Sequence, residues 1–260
     1  RDKAFRLLNW ISYKYGFGTY LHQIDGYYSK STAQQAREEH KRLLEQVYNI
    51  DSQVYIDTLI SPSNTSAIAQ AIQIPGIAGM ENNMVIFEYD KEYPKNLPEI
   101  IDNFALVNSG DFDIAVLASS PREIKCINGI HVWINSLDTE NANLMILLSF
   151  IILGHPDWKK GQIQIFNICR EEEVEKTRTA MKELVLSGRL PIAAKNIKLI
   201  VQNQDVSFRT IINKNSANAG LTLIGLREEM VKKERQKLFE GYDELGTVLF
   251  VYSKNQKEIE

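Results

Sequence analysis

The spacing of apolar residues changes repeatedly along the chain, and each change predicts a switch between strand and helix. Short apolar runs predict strands, whereas apolar positions every three to four residues predict helices. The tyrosine-rich stretch from Leu7 to Ile24 is expected to be β-structure. The predicted elements that follow are a helix from Ser31, a strand at 54–60, a helix at 65–72, a strand at 84–89, a helix at 97–107 and a strand at 114–118.

A second alternating series begins after Pro121. Its predicted elements are a strand at 130–134, an apolar helix at 140–153, a strand at 163–168, a helix from Glu171 to just before Gly188, and alternating elements at 197–201, 206–214, 221–226, 227–239 and 248–252. Strands joined by helical connections must pair in parallel. We therefore predict an α/β fold of two consecutive subdomains, at 1–121 and 122–260, with mainly parallel sheets flanked by helices.

Composition narrows the possible partners. The 260 residues carry a net charge of -3 and are 44% hydrophobic, as in an ordinary globular chain, so we expect no nucleic-acid partner. Cys126 and Cys169 fit neither a zinc pattern nor a disulfide framework. The apolar run at 144–153 is shorter than the about 20 residues that span a bilayer, and no secretory leader is evident. Because the chain starts at Arg1, we expect it to be part of a longer protein.

Few residues suggest chemistry. Gly16 and Gly18 resemble the start of a dinucleotide-binding turn, but Leu21 replaces the third glycine and no helix follows directly, so a glycine kink in a strand is the favoured interpretation. Motifs for a Walker loop, a zinc protease, a serine hydrolase and a redox pair are absent from the sequence. Core or boundary positions are favoured over metal ligation for His40 and His131. The four histidines fall on different predicted elements, and none is spaced like a metal pair: His22, His40, His131 and His155.

Two further groups of polar residues have structural explanations. The hydroxyl-rich loop from Ser61 to Ser66 could bind an anion or be phosphorylated, but a helix N-cap is favoured. Five aspartates lie near predicted strand ends, where turns and caps explain them as well as catalysis does: Asp25, Asp57, Asp113, Asp138 and Asp157. Since no base is paired with a nucleophile, we predict no catalytic, cofactor-binding or metal-binding residues and expect a protein that is not an enzyme.

Several segments, taken in order, resemble one family. Residues 129–134 (GIHVWI) precede a leucine-rich helix, and residues 158–166 (WKKGQIQIF) follow it; residues 70–87, 215–226 and 248–252 complete the series. Together they resemble the cytoplasmic C-terminal domain of the cation-chloride cotransporters, including that family's W-K-x-C-x-I-R-V-F strand. Each motif is weak by itself, and their shared order over nearly the whole chain carries the resemblance.

The chain departs from the family pattern at four positions. His131 replaces a residue that is usually acidic, Gly161 stands where cysteine is frequent, and Met84 and Glu88 break an N-T-x-x-L-G pattern. These departures indicate a distant, prokaryotic member of the family.

The resemblance implies a universal-stress-protein-like fold and a non-catalytic role. It implies a regulatory and dimerisation domain of a sodium/potassium-chloride cotransporter on the cytoplasmic side of the membrane. The implied partners are the transmembrane domain of the same polypeptide and a second copy, with no tightly bound small molecule. The tyrosine-rich segment from Trp10 to Tyr28 is our candidate for contact with another surface, and an edge strand is its alternative.

An alternative function remains open. The segment from Ala217 to Leu226 also resembles the universal stress proteins, which bind nucleotides through a glycine-rich loop after this strand. Here Arg227, Glu228 and Glu229 follow, and carboxylates would repel a triphosphate. A free-standing nucleotide-binding protein of that type is thus the alternative, and an enzyme without a recognisable motif ranks last.

Overall fold

A computed structural model describes residues 2–47, 53–76, 80–135, 139–187, 194–202 and 206–255. The helices are α1 (Asp2–Tyr15), α2 (Lys30–Val47), α3 (Asn64–Ala71), α4 (Leu97–Asp102), α5 (Phe104–Ser109), α6 (Thr139–Leu153), α7 (Val174–Ser187), α8 (Phe208–Ser216) and α9 (Glu228–Glu234). The strands are β1 (Gly18–Asp25), β2 (Val54–Ser61), β3 (Met84–Asp90), β4 (Asp113–Ser119), β5 (Ile130–Asn135), β6 (Ile163–Cys169), β7 (Ile197–Val201), β8 (Leu221–Gly225) and β9 (Val248–Tyr252).

Two sheets contain the strands of the described residues. The smaller sheet pairs β1 with β2, and the seven-stranded sheet has the order β3-β4-β9-β8-β5-β6-β7. The pairs are parallel except for β4 and β9, in which Val116 lies opposite Phe250. This mainly parallel α/β architecture, flanked by helices, confirms the predicted fold class.

The large sheet has an apolar core on each face, because its central strands are buried on both sides. Along β4, Ala115 and Leu117 point into one core, which α1 and α6 cover. Ile114 and Val116 point into the other core, which α4, α5, α8 and α9 cover. The strands and the helices around them therefore form one continuous packed unit.

The predicted boundary at 121 and 122 does not divide the sheet. Strands β3 and β4 lie before it, yet β4 pairs with β9 from the other side. The division into subdomains at 1–121 and 122–260 stays a prediction. The sheet itself shows that the two parts share a core.

Three sequence predictions of local structure need correction. Residues 7–15 belong to helix α1, not to β-structure, because Leu7 and Trp10 lie on one helical face and are buried in the core that includes α6. The helix predicted at 97–107 is interrupted at Asn103, where α4 ends and α5 begins. The helix predicted at 227–239 changes into a 3₁₀ turn at Arg235, whose φ is 52°. Gly188 and Asp138 lie outside the described residues.

Candidate functional site

An open groove of about 850 Å³ separates the two sheets. One wall is β1 and the other is β3, and among the described strands β1 pairs only with β2 and β3 only with β4. Helices α1 and α6 line the groove on one face, and α3 lines it on the other. Its volume lies within the range of small-molecule pockets, which makes the groove the first candidate site in the described part of the chain.

The groove is apolar in the middle and polar at both ends, since Glu81, Asn82 and Asn83 line it ahead of β3 and Asn64, Asn96 and Glu99 line it beyond the carboxyl ends of β2 and β3. Leu8, Leu148 and Ile86 are among the apolar side chains that line it. Beyond the carboxyl ends of the strands, the Asn96 side-chain amide donates to the Glu88 carbonyl oxygen at 2.6 Å, and Asn64 donates to the Glu99 carboxylate. These two amides are thus bonded to neighbouring parts of the protein.

A second candidate position lies where parallel strands β5 and β8 send their connections to opposite faces of the sheet. Ligands of α/β proteins commonly bind at the carboxyl ends of such a strand pair. Here the Asn141 side chain is buried, donates to the Leu226 carbonyl oxygen at 2.6 Å and accepts from the Ser253 amide at 2.6 Å. Asn141 therefore links α6, the end of β8 and the end of β9 with protein hydrogen bonds.

His131 lies in a buried polar pair on β5. Its Nδ1 is 2.9 Å from the Ser216 hydroxyl, which also accepts a hydrogen bond of 2.9 Å from Trp133 Nε1. Burial, together with the positive charge of Lys198, lowers the pKa of His131 to about 4. The ring is therefore neutral near pH 7, and its contacts are those of a satisfied core histidine, as predicted.

A polar cluster fixes α1 to the segment after α6. The Trp10 indole donates to the Asp157 carboxylate at 3.0 Å, and the Trp10 and Trp158 rings meet edge to face at 5.1 Å. Asn9 contacts His155 at 3.3 Å, and burial lowers the pKa of His155. Each of these groups serves the attachment of α1, and in the described residues His, Cys, Asp and Glu side chains form no group that could hold a metal ion.

Two lysines join the first half of the chain to the loop before β9. Lys91 Nζ donates to the carbonyl oxygens of Tyr242, Leu245 and Gly246 at 2.9, 2.9 and 3.1 Å. Burial lowers the pKa of Lys91 to about 8. Lys3 Nζ donates to the Thr247 hydroxyl at 3.3 Å and to the Arg122 carbonyl oxygen at 2.6 Å. Since carbonyl oxygens surround both ammonium groups, these lysines are structural links.

The residues that carry the family resemblance lie in the core. Trp133 is stacked on Phe166 with ring centroids 4.6 Å apart, and Trp158 is fully buried. Gly161 has a structural reason to replace cysteine, because a Cβ there would lie 2.7 Å from the Cys126 carbonyl oxygen. These motif residues therefore contribute to the packing of the second half.

The structure places the remaining candidate residues as turns and caps. Gly16 lies between α1 and β1 and Gly18 is the first residue of β1, so neither kinks the interior of a strand; a Cβ on Gly18 would lie 2.4 Å from the Leu8 side chain. Ser63 is an N-cap, confirmed by a bond of 3.1 Å from the Ser66 amide to its hydroxyl. Asp113 accepts from the Lys254 amide at 2.9 Å. Asp25 ends β1 and accepts from Gln23, while Asp57 lies within β2.

Sequence reasoning missed the groove. Its walls come from elements far apart in the chain, and the apolar residues that line it look like ordinary core positions in the sequence. The structural sign of the groove is the even, partial burial of β1 and β3, whose residues are mostly half-buried. This property depends on neighbours, so it becomes visible only after folding.

Comparison with solved structures supports the fold. The chain is similar to the crystal structure of the cytoplasmic domain of a prokaryotic cation chloride cotransporter, with a TM-score of 0.65, 15% identity, and coverage of 99% of this chain and 93% of that one. It is also similar to a putative universal stress protein from Pseudomonas aeruginosa UCBPP-PA14, with a TM-score of 0.51, 13% identity, and coverage of 91% and 93%. No protein-family model and no curated protein sequence matches the chain. The likeness to both structures confirms the universal-stress-protein-like fold.

Proposed function

We propose that this chain is the cytoplasmic regulatory and dimerisation domain of a sodium/potassium-chloride cotransporter. The observation that carries the proposal is the fold likeness to a cotransporter cytoplasmic domain, which extends over 99% of this chain and 93% of that one. In this role the domain lies on the cytoplasmic side of the membrane and acts through protein contacts. In the described residues, no helix is both long and apolar enough to cross a bilayer.

The arrangement at the sheet edge supports a non-catalytic role. Asn141 occupies the end of the β5 and β8 pair with two protein hydrogen bonds. The connection after β8 continues into Glu228 and Glu229 at the start of α9, where their charge disfavours a phosphate. A domain of this kind regulates transport by binding one transporter state more tightly than another, because only differential contact shifts such an equilibrium.

The surface proposed for contact with a second copy is the tyrosine pair Tyr27 and Tyr28. The sequence predicted a longer contact segment, from Trp10 to Tyr28, but Trp10 is buried in the core. By contrast, the exposed fractions of Tyr27 and Tyr28 are 80% and 82%. Exposed aromatic side chains contribute strongly to protein interfaces, and most homodimers are two-fold symmetric. Two copies of this pair across a two-fold axis would form a compact aromatic contact.

Sedimentation equilibrium tests the dimer. Because attachment to a membrane raises local concentration to the millimolar range, the measurement should extend to about 0.5 mM protein. We expect a dimer that the double variant Tyr27→Ser, Tyr28→Ser weakens by about tenfold or more. The matched control is Tyr93→Ser, which removes another tyrosine with 69% exposure. A monomer throughout the range, or equal weakening by Tyr93→Ser, would contradict the proposed contact.

Ion flux tests the regulatory role. In the longer polypeptide, we expect repeated apolar segments of about 20 residues ahead of this domain. Chloride-dependent uptake of rubidium, a potassium tracer, should change when Tyr27 and Tyr28 are replaced by serine, while the amount of transporter at the membrane stays equal. Absence of such apolar segments would remove the transporter proposal.

Nucleotide binding is the second candidate function, favoured by the similarity to a putative universal stress protein. Isothermal titration of residues 1–260 with ATP and magnesium distinguishes the two. We expect no binding, because the loop after β8 begins with Arg227 and two glutamates instead of a glycine-rich turn. A micromolar dissociation constant would favour the nucleotide-binding function.

A further inference from the structure

The two halves of the fold follow the same strand order except at one position. In the second half, the order across the sheet is β7-β6-β5-β8-β9. In the first half, β2 and β1 lie on one side of the groove and β3 and β4 on the other. The last strands of the halves, β4 and β9, pair antiparallel. When the halves are aligned so that β4 corresponds to β9, β3 corresponds to β8, β1 to β6 and β2 to β7. The groove then occupies the position that β5 has in the second half.

The helices support the same correspondence. In the second half, α6 connects β5 to β6 and packs in the core that also contains α1. Helix α1 precedes β1, and α6 precedes β6 with a 3₁₀ turn at Pro156–Trp158 between them; the two helices have 14 and 15 residues. On the opposite face, α4 and α5 follow β3 as α9 and its 3₁₀ turn follow β8. Helix α1, which lines the groove, thus has a counterpart in α6, which packs against β5.

We propose that the groove holds one further β-strand, parallel to β1 and β3, supplied by the polypeptide segment directly ahead of α1. A parallel strand needs a crossover connection of a dozen residues or so, and α1 has the length and position to provide it. With this strand in place, the order of the first half matches β7-β6-β5-β8-β9. The two sheets then join into one.

The lining of the groove determines which amino-acid sequence the inserted strand needs. A central parallel strand is covered on both faces, so its side chains form a continuous apolar run of about five to seven residues. The available walls fit this, because α1 and α6 present Leu8 and Leu148 on one face and α3 presents Ala67 and Ala71 on the other. The corresponding strand β5 has the sequence IHVWIN. Neighbouring strands on both sides satisfy its backbone groups, as a buried strand requires.

Hydrogen exchange tests this proposal with two polypeptides. One is residues 1–260, and the other is the same chain extended by the residues that precede it in its gene. We expect amide exchange in 18–25 and 84–90 to slow by about 100-fold or more in the extended chain, because inserted strand pairing closes both edges. Exchange in β4, which is paired on both sides in either polypeptide, is the internal control.

A steric variant separates insertion from general stabilisation. Ala71→Trp places a large side chain in the groove, whereas the matched control Ala69→Trp lies on the same helix outside the groove lining. In the extended chain, Ala71→Trp should restore fast exchange in 18–25 and 84–90, and Ala69→Trp should leave it slow. This result would not depend on transport, ATP binding or the tyrosine contact.

Four outcomes would overturn the proposal. The first is that β1 and β3 exchange equally fast in both polypeptides, and the second is that the gene encodes no apolar segment ahead of α1. The third is that protection of β1 and β3 in residues 1–260 increases with protein concentration. The fourth is that native mass spectrometry of the extended chain finds an apolar small molecule in the groove. The third outcome would assign the groove to a second copy and the fourth to a ligand.

Discussion

The two halves of the chain have the same strand order except at the position of β5, and they differ in how completely their strands are buried. In the second half, β5 lies between β8 and β6, and Ile130 and Val132 are fully buried. In the first half, β1 and β3 face an open groove, and residues such as Val85 and Ile86 are only half-buried. The central strand β5 therefore closes the core of the second half, whereas the core of the first half stays open at the groove.

Under the strand proposal, the apolar groove receives a β-strand instead of a small molecule. At the ends of β5 and β8, where ligands of α/β proteins commonly bind, the Asn141 side chain makes hydrogen bonds to Leu226 and Ser253. The larger groove lies along the edges of two strands, where an extended backbone can pair on both sides. The shape and hydrogen-bonding pattern of the groove and of the β5 and β8 ends therefore indicate their possible occupants better than cavity volume does.

The largest expected difference between the halves comes from identical core truncations. Ile130→Ala in β5 should lower the free energy of unfolding by about 4 kcal/mol, because it leaves a cavity in a fully packed region. Ile86→Ala in β3 should lower it by about 1 kcal/mol, since that side chain is half-buried beside the groove. Urea unfolding of residues 1–260 measures both. Equal losses would show that the halves are packed alike.

A pair of glycine substitutions should give the next largest difference. Gly129→Ala should cost about 3 kcal/mol, because Gly129 has a φ of 76° and an added Cβ would lie 2.2 Å from the Gln162 carbonyl oxygen. Gly16→Ala in the first half should change stability by less than about 0.5 kcal/mol, since the added Cβ would have no neighbour within 4 Å. Thermal unfolding compares the two variants. A larger loss from Gly16→Ala would contradict the assigned backbone geometry.

Acid should weaken the second half through His131. Its pKa falls from 6.5 to about 4 on folding, so the unfolded chain takes up a proton first as the pH decreases. The stabilisation present above pH 6.5 is therefore lost towards pH 4, and about 2 kcal/mol should be gone at pH 5. Urea unfolding at pH 7 and pH 5 measures the loss, which His131→Gln should reduce by that amount. An unchanged pH dependence in the variant would show that His131 titrates normally.

Much of the fold was predictable because its signals are local. The apolar spacing placed the strand at 163–168 and the helix at 140–153 within a residue or so of β6 and α6. The prediction was wrong for residues 7–15, where alternating tyrosines suggested a strand. Burial of Leu7 and Trp10 against another helix decides that segment, and the partner is far away in the chain.

The candidate site was less predictable than the fold. Ser63 could be identified as an N-cap from neighbouring residues alone, and it is one. By contrast, the bonds of Asn141 join residues separated by 85 and 112 positions, and nothing near Asn141 in the chain indicates them. Side chains whose hydrogen-bond partners are so far away in the chain cannot be identified from the spacing of neighbouring residues.

The sequence by itself determined the alternation of strands and helices, since each element depends on the periodicity of its own residues. Only the tertiary structure decided that β4 and β9 pair antiparallel, that both halves share one core and that a groove separates β1 from β3. The physical reason is that strand partners compete for the same backbone hydrogen bonds, and the choice among them depends on packing across the whole chain.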